Sequence, residues 1–309
     1  MSSKVSNEYQ PIIKWVGGKS EILVPLFENI PTVIDNYYEC FAGGGSVFLH
    51  LLEMIEKKKI IVEGNIYIND LNSHLIHLYE TIKTDVDGLI EYLEYYDEQY
   101  KEAKIKEYTA RFDFTEMIDS KESVEECVEE SKNLVYYYLK KKYNTEELDV
   151  VEKSALFIFL NKTCFRGLYR ENRSGEFNVP FGNYENPTIY HEESIRKLHD
   201  IFNKYPIFFE NKSYREFLGG HDIKTGDFIY FDPPYYPIKE GTFVDYQGDG
   251  FDEEEHIYLM NKMNEYNRKK IKIMMSNHKC EFIDKYIKTD DGFVKIVLSV
   301  KRRINSKNP

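Results

Sequence analysis

An α/β fold, with a doubly wound parallel sheet and a helical insert, follows from three features of this 309-residue sequence. A strand, a glycine turn and a helix succeed one another over residues 33–55. A short apolar strand at 227–231 runs straight into a proline-rich corner, DPPYYP. Between them, residues 84–153 switch to acidic, tyrosine-rich helix, and strand–helix alternation resumes at His191. Alternating strands and helices build a parallel sheet covered by helices. A purely helical block inside that alternation reads as an insertion.

Composition sets the frame. At 42% hydrophobic the chain can bury a sizeable core. No apolar run approaches the ~18 residues of a membrane span, and the polar start MSSKVSNEYQ does not read as a secretory signal. Cys40, Cys127, Cys164 and Cys280 are widely spaced, so neither a disulfide framework nor a zinc site is expected, and an intracellular, reducing location fits. The net charge of −12 argues at first sight against a nucleic-acid partner. Residues 84–153, however, hold 20 Asp/Glu against 10 Lys/Arg, and Lys162, Arg166, Arg170 and Arg173 follow against Glu171 alone. A compact basic element next to an acidic segment sets a local field of the opposite sign.

In chain order, the segment PIIKWVGGKS comes first. GGKS invites a phosphate-loop reading, but Ile13 stands where that motif needs its first glycine, and no strand precedes it. Gly17-Gly18 instead allow close backbone approach to a ligand, with Trp15 able to stack and Lys19 to meet a carboxylate; a glycine turn beside a core Trp is the plainer alternative. A strand ending near Glu39 then enters the turn Ala42-Gly43-Gly44-Gly45-Ser46, and Val47, Phe48, Leu51, Leu52 and Ile55 have helical spacing. This is the opening unit of a doubly wound fold, although Gly43-x-Gly45 matches a dinucleotide fingerprint only loosely. Residues 60–69 read as the second strand. Asp70 follows it, 25 residues after Gly45, near the offset of about 20 at which an acid meets a ribose diol. The alternative is an N-cap for the helix expected at 71–82. His74 and His77 read as helix surface or packing, since no third metal ligand accompanies them.

Amphipathic helices are expected at 89–100 and 134–143, a solvated acidic face at 122–130, and a buried helix at 153–165. The stretch at 164–187 mixes Arg, Gly, Pro, Asn and aromatics, as a hairpin that reads or wedges bases would; on composition alone a surface hairpin serves equally. Further on come a helix at 192–205, strands at 207–210 and 227–231, a glycine-rich candidate lid at 238–251, a helix at 253–268, a strand at 270–276, a helix at 280–288 and a strand at 293–300.

The corner after residue 231 carries the chemistry. Asp232 precedes Pro233, which presses its backbone into an extended form. Two prolines fix two φ angles and remove two N–H donors. The Asp232 carboxylate and the Pro233 carbonyl are left as acceptors on a stiff corner, with Tyr235 and Tyr236 as flat stacking faces. Such a corner can hold an amino group on a planar ring.

With these pieces in order, the chain resembles the Dam-type DNA adenine-N6 methyltransferases. KWVGGKS, ECFAGGGSVF, INDLNSHLI and DFIYFDPPY match in the family's order, and FRGLYRENRSGEFNVPFGNY resembles its target-recognition hairpin. The similarity spans essentially the whole chain. It implies a Rossmann-like S-adenosylmethionine-dependent methyltransferase sheet at 1–83 and 191–309, with an inserted helical and hairpin target-recognition domain at 84–190. It implies S-adenosylmethionine as cofactor, held by Trp15, Lys19, Glu39, Phe41, Gly43, Gly45, Asp70 and Asp232. It implies catalysis by Asp232, Pro233 and Tyr235 on N6 of an adenine flipped out of duplex DNA, with no metal. It also implies DNA contacts from Lys14, Leu168, Arg170, Pro180 and Tyr184, together with Arg166 and Asn183. The implied partners are double-stranded DNA and, in a restriction-modification pair, a cognate restriction endonuclease; an orphan regulator is the other role. No membrane is involved.

Three departures from the family pattern stand out. Arg166 occupies a position where Asn is common in GATC enzymes, and Asn183 one where Arg is common; both argue against GATC as the recognition sequence. Family members also continue past Ile304-Asn305-Ser306 into one more strand. The expectation there is a truncated or split enzyme, with an unpaired edge beside 293–300. A DNA-binding protein without turnover, a cytosine-N4 enzyme and an RNA substrate are the rival readings. Asp rather than Ser in the turn favours adenine.

Overall fold

The computed structural model describes residues 8–108, 112–236 and 251–298. Its strands are β1 (Val33–Ile34), β2 (Tyr37–Glu39), β3 (Ile61–Val62), β4 (Ile66–Asn69), β5 (Ile207–Glu210), β6 (Phe228–Phe231) and β7 (Lys272–Met275). β1 and β3 form a small side pair, and the main sheet runs β5-β4-β2-β6-β7, parallel throughout. The central strands β2 and β6 are buried along their whole length, as expected of a parallel sheet with both faces covered.

The strand order decides where a ligand can sit. The chain leaves β2 for β4 and β5 on one side, then returns to β6 on the other. Crossovers on either side of β2 therefore diverge between β2 and β6. In a parallel sheet the crevice outside the carboxyl ends at such a switch point is the natural binding cleft. Glu39 ends β2 and Asp232 follows β6.

Two expected strands are each broken in two. The strand expected up to Glu39 stops at Asp35-Asn36, and the one expected at 60–69 stops around Gly64. One polar knot causes both breaks. The Asn36 N–H and side-chain amide donate to Asp227 Oδ1 at 3.0 and 2.8 Å, and Asn36 Oδ1 accepts the Asn65 N–H at 2.9 Å. Asn side chains compete with the ladder in this way. A Cβ on Gly64 would lie 2.4 Å from Asn36 Oδ1, so only glycine fits there.

A third strand expectation, residues 293–300, is overturned over 293–298. These residues pair with nothing in a sheet, and Val294, Ile296, Val297 and Leu298 are exposed. A strand persists only where a neighbour completes its hydrogen bonds, and β7 is the last strand of the sheet among the described residues. The candidate lid at 238–250 lies outside the described residues. The helix expected at 253–268 is found with those bounds, Glu253–Arg268, while the short helices Leu23–Phe27 and Tyr214–Gly219 were not foreseen.

In the block expected to be helix-rich, 84–153, and at the buried helix expected at 153–165, the described residues form the helices Val86–Glu102, Thr115–Asp119, Val124–Val128, Lys132–Thr145 and Val150–Thr163. The middle of Val150–Thr163, residues 155–160, is apolar on all sides because this helix is the hub. Leu156, Phe157, Ile158, Phe159 and Leu160 are all buried, each worth about 1.5–3 kcal/mol of transfer energy. Asp149 caps this helix by accepting the Val151 and Glu152 N–H groups. The tyrosines of this segment have a second task. Tyr136 donates its hydroxyl to the Val179 carbonyl at 2.7 Å, and Tyr100 donates to Tyr184 O. Asn144 brackets Phe177, accepting its N–H and donating to its carbonyl. The helices thus hold the stretch at 164–187 by its backbone. That stretch folds back on itself through antiparallel bridges, Cys164 to Phe181 and Glu171 to Phe177.

Candidate active site

At the end of β6 the Asp232 carboxylate meets the Lys19 ammonium through Oδ2. Both side chains are largely buried. Burial pushes the Asp232 carboxyl up to about 6, and Lys19 pulls it back down. Its other oxygen, Oδ1, is buried and accepts nothing from the described residues. An acceptor without a donor, at the switch point of a sheet, is a place for a ligand N–H. Tyr235 lies close by, with the Lys19 ammonium 5.0 Å from its ring centre. Pro233 is buried beside them.

Lys19 is positioned from three directions. Its ammonium also donates to the Gly17 carbonyl at 2.6 Å, and its backbone N–H donates to Ser46 Oγ at 3.0 Å. Ser46 opens the helix that follows the glycine turn. The turn itself needs left-handed backbone at Gly43 (φ +51°) and Gly45 (φ +82°), and a Cβ on Gly45 would stand 2.6 Å from the Phe48 ring. Glu39, at the end of β2, is buried and accepts the Tyr37 hydroxyl at 2.6 Å. Burial raises its carboxyl to about 8, against the Tyr37 hydrogen bond that lowers it. Phe41 packs against Tyr214 and Phe251.

Asp70 follows β4 and ties the glycine turn to it. Its Oδ2 accepts the Gly43 N–H at 2.8 Å and its Oδ1 the Asn72 N–H at 2.9 Å. The helix cap considered for Asp70 belongs to Asn72, whose Oδ1 accepts from His74 and Leu75. Trp15 lies along the same turn and stacks on Tyr169 at 5.2 Å. His74 packs among Tyr143, Phe157 and Tyr169 and faces Glu171 at 3.4 Å. Packing is therefore its role on the helix.

The basic stretch forms a second surface, continuous with the first through Lys14. The buried Asn161 side chain accepts the Lys14 N–H at 2.8 Å and donates to the carbonyls of Lys14 and Gly167 at 2.9 and 3.2 Å. Sequence reasoning missed Asn161, since a lone Asn in an apolar helix gives no local signal. Arg166 and Asn183 are exposed and both adopt positive φ, +60° and +55°. The Tyr184 hydroxyl accepts the Arg166 N–H at 3.1 Å, and the Pro180 carbonyl accepts the Phe165 N–H at 2.8 Å. Leu168 is exposed, and the exposed Arg170 donates to Asn178 at 2.6 Å. Among the described residues, no group of three or more His, Cys, Asp or Glu side chains is placed to hold a metal ion. No helix among the described residues is long and apolar enough to cross a membrane.

Comparison with known proteins bears on this geometry. Residues 15–304 match the family model of the D12 class N6 adenine-specific DNA methyltransferases. A type II methyltransferase of Methanocaldococcus jannaschii, M.MjaIII, is 33% identical over 97% of this chain and 94% of its own. M1.LlaDCHI, a type II methyltransferase of Lactococcus lactis, is 29% identical over 87% of this chain and 81% of its own. A DNA adenine methylase of Haemophilus influenzae is 27% identical over 91% and 84%.

Proposed function

The chain belongs to the D12 class N6 adenine-specific DNA methyltransferases, and from that premise we propose how its residues divide the work of methylating adenine in duplex DNA. N6 lies inside the duplex, so the base is flipped into the crevice beside Asp232. S-adenosylmethionine, when bound, supplies a sulfonium methyl group. The glycine turn lies at the switch point where that cofactor would sit: its left-handed residues pack against Trp15, Phe48 and Tyr79 and so shape the loop, and Asp70, which accepts the Gly43 N–H, stands at its mouth for the ribose hydroxyls. Trp15, Lys19, Glu39, Phe41, Gly43, Gly45, Asp70 and Asp232 make up the cofactor side of the crevice.

The adenine amino group is a poor nucleophile because its lone pair is delocalised into the ring. Asp232 Oδ1 and the Pro233 carbonyl accept its two hydrogens and favour a pyramidal nitrogen. Tyr235 stacks on the ring. N6 forms its new bond to carbon as the carbon–sulfur bond breaks toward sulfur. N6 is then positively charged, and Asp232, with a carboxyl near 6, accepts the proton it sheds. Positioning and electrostatics carry the step.

Residues 84–190 serve as the target-recognition domain, and Lys14, Arg166, Leu168, Arg170, Pro180, Asn183 and Tyr184 contact DNA. Relatives named type II methyltransferases support pairing with a restriction endonuclease, and an enzyme acting on genomic DNA works inside the cell. The observation that carries this reading is the buried, unpartnered Asp232 Oδ1 beside Lys19. Transfer of labelled methyl to duplex DNA, with nucleoside analysis, tests it. N6-methyladenine should form with wild type and vanish with Asp232→Ala; persistence in the variant refutes the assignment.

A further inference from the structure

Asp232 Oδ1 has a counterpart of opposite sense on the next strand. β7 runs parallel to β6 with Met275 opposite Phe231, and the Ser276 N–H continues the ladder by donating to the Phe231 carbonyl at 2.9 Å. The same register sets Asn277 alongside the proline corner. Asn277 Oδ1 accepts two backbone donors, the Tyr236 N–H at 3.2 Å and the His278 N–H at 2.8 Å. Those two donors fix the amide orientation, because Nδ2 in that place would oppose two N–H groups. Nδ2 therefore points the other way, and it is buried with no acceptor among the described residues. The His278 ring packs edge-on against Tyr235 at 4.6 Å, which holds this loop to the turn. Buried donors without acceptors are costly and rare, so one beside a substrate crevice calls for a ligand acceptor.

We propose that Asn277 Nδ2 reads N1 of the target adenine while Asp232 Oδ1 reads N6, a role that rests on the flipped-base reading above. The Watson–Crick edge of adenine presents a donor, N6–H, next to an acceptor, N1. The protein presents an acceptor, Asp232 Oδ1, and a donor, Asn277 Nδ2, at the ends of adjacent strands. Guanine and thymine carry the opposite pair, a carbonyl next to a ring N–H, and would meet like with like at both points. Cytosine has the same sense as adenine and is separated from it by ring size. Asn277 is thus a base-reading residue, and its two duties are separable: Oδ1 shapes the turn and Nδ2 reads the base.

The test is a cycle between protein and DNA. The recognition site is first mapped by sequencing N6-methyladenine in DNA treated with wild type. Duplexes are then made with adenine or 1-deazaadenine, in which C–H replaces N1, at the target position. Asn277→Asp keeps the two acceptor bonds and removes the donor; Asn277→Ser is the second variant if Asp does not fold. Wild type should prefer adenine over 1-deazaadenine by about tenfold or more in kcat/KM. The variants should lose that preference, and with Asp it should reverse, since a carboxylate repels the N1 lone pair. Cofactor affinity should be unchanged. An unchanged preference in both variants overturns the proposal while leaving the Asp232 reading intact. Activity retained in Asp232→Ala would instead remove the premise.

Discussion

The Lys19 ammonium and the Asp232 carboxylate form a buried pair that joins the first glycine segment to the end of β6. Lys19 also reaches the second glycine turn through Ser46. One lysine thus ties together the three segments that line the crevice. It also tunes the carboxylate, which burial raises and Lys19 lowers. The chemistry uses the ionised form, so methyl transfer in a single turnover should fall as pH drops through about 6. Lys19→Met removes the lowering partner. Its pH midpoint should move above that of wild type, with activity at pH 7 down by about tenfold or more and partly restored at pH 8.5. A variant profile superimposing on wild type would separate Lys19 from Asp232.

Glu39 predicts a pH dependence of stability. The folded chain holds its proton up to about 8, whereas an unperturbed carboxyl releases it near 4.5. Its contribution is therefore complete below about pH 4.5 and is lost as pH rises through about 8. Glu39→Gln keeps an acceptor for the Tyr37 hydroxyl and cannot ionise. Without cofactor, thermal melts of variant and wild type should agree near pH 4.5, and the variant should melt progressively higher toward pH 8.5.

Arg166 sits at φ +60°, a conformation that a side chain rarely adopts. Strain of this kind collects at functional positions. Arg166→Gly should change stability by no more than about 1 kcal/mol, because relief of the left-handed strain offsets the entropy that glycine adds to the unfolded chain. It should also relax base selectivity at one position of the recognition sequence by about 1–3 kcal/mol. Deep sequencing of methylated random DNA reads both the site and its loosening. Unchanged selectivity would make the residue a phosphate contact at most.

Asn161 joins the Lys14 backbone to the recognition stretch through three hydrogen bonds. Asn161→Ala leaves Lys14 and Gly167 groups without their partner. Stability should fall by about 2–3 kcal/mol. At a temperature where the variant remains folded, its Kd for DNA should weaken more than its Kd for cofactor, both measured by titration. Equal weakening would mean that Asn161 supports the fold alone.

Much of this was legible along the chain. Local spacing showed the helix Glu253–Arg268, the apolar-centred helix at the hub and the acid–proline corner, because periodicity and proline geometry act over a few residues. Glycine turns and the chain order of strands and helices were enough to place Asp232, Glu39 and Asp70 at strand ends. The breaks at Asp35-Asn36 and Gly64 were not legible, since they depend on Asn36 reaching Asp227 and Asn65, the residues just ahead of β6 and β4. Nor was the task of Asn161, or that of Tyr100 and Tyr136 in the helical segment, whose hydroxyls answer carbonyls far away in sequence. The strand expected at 293–300 had the right pattern, yet a pattern offers only one side of a ladder. Sequence alone determined which residues carry acceptors, donors and flat faces. Tertiary structure decided which of them remain unpaired in the crevice, because satisfaction of a polar group is a property of its neighbours in space.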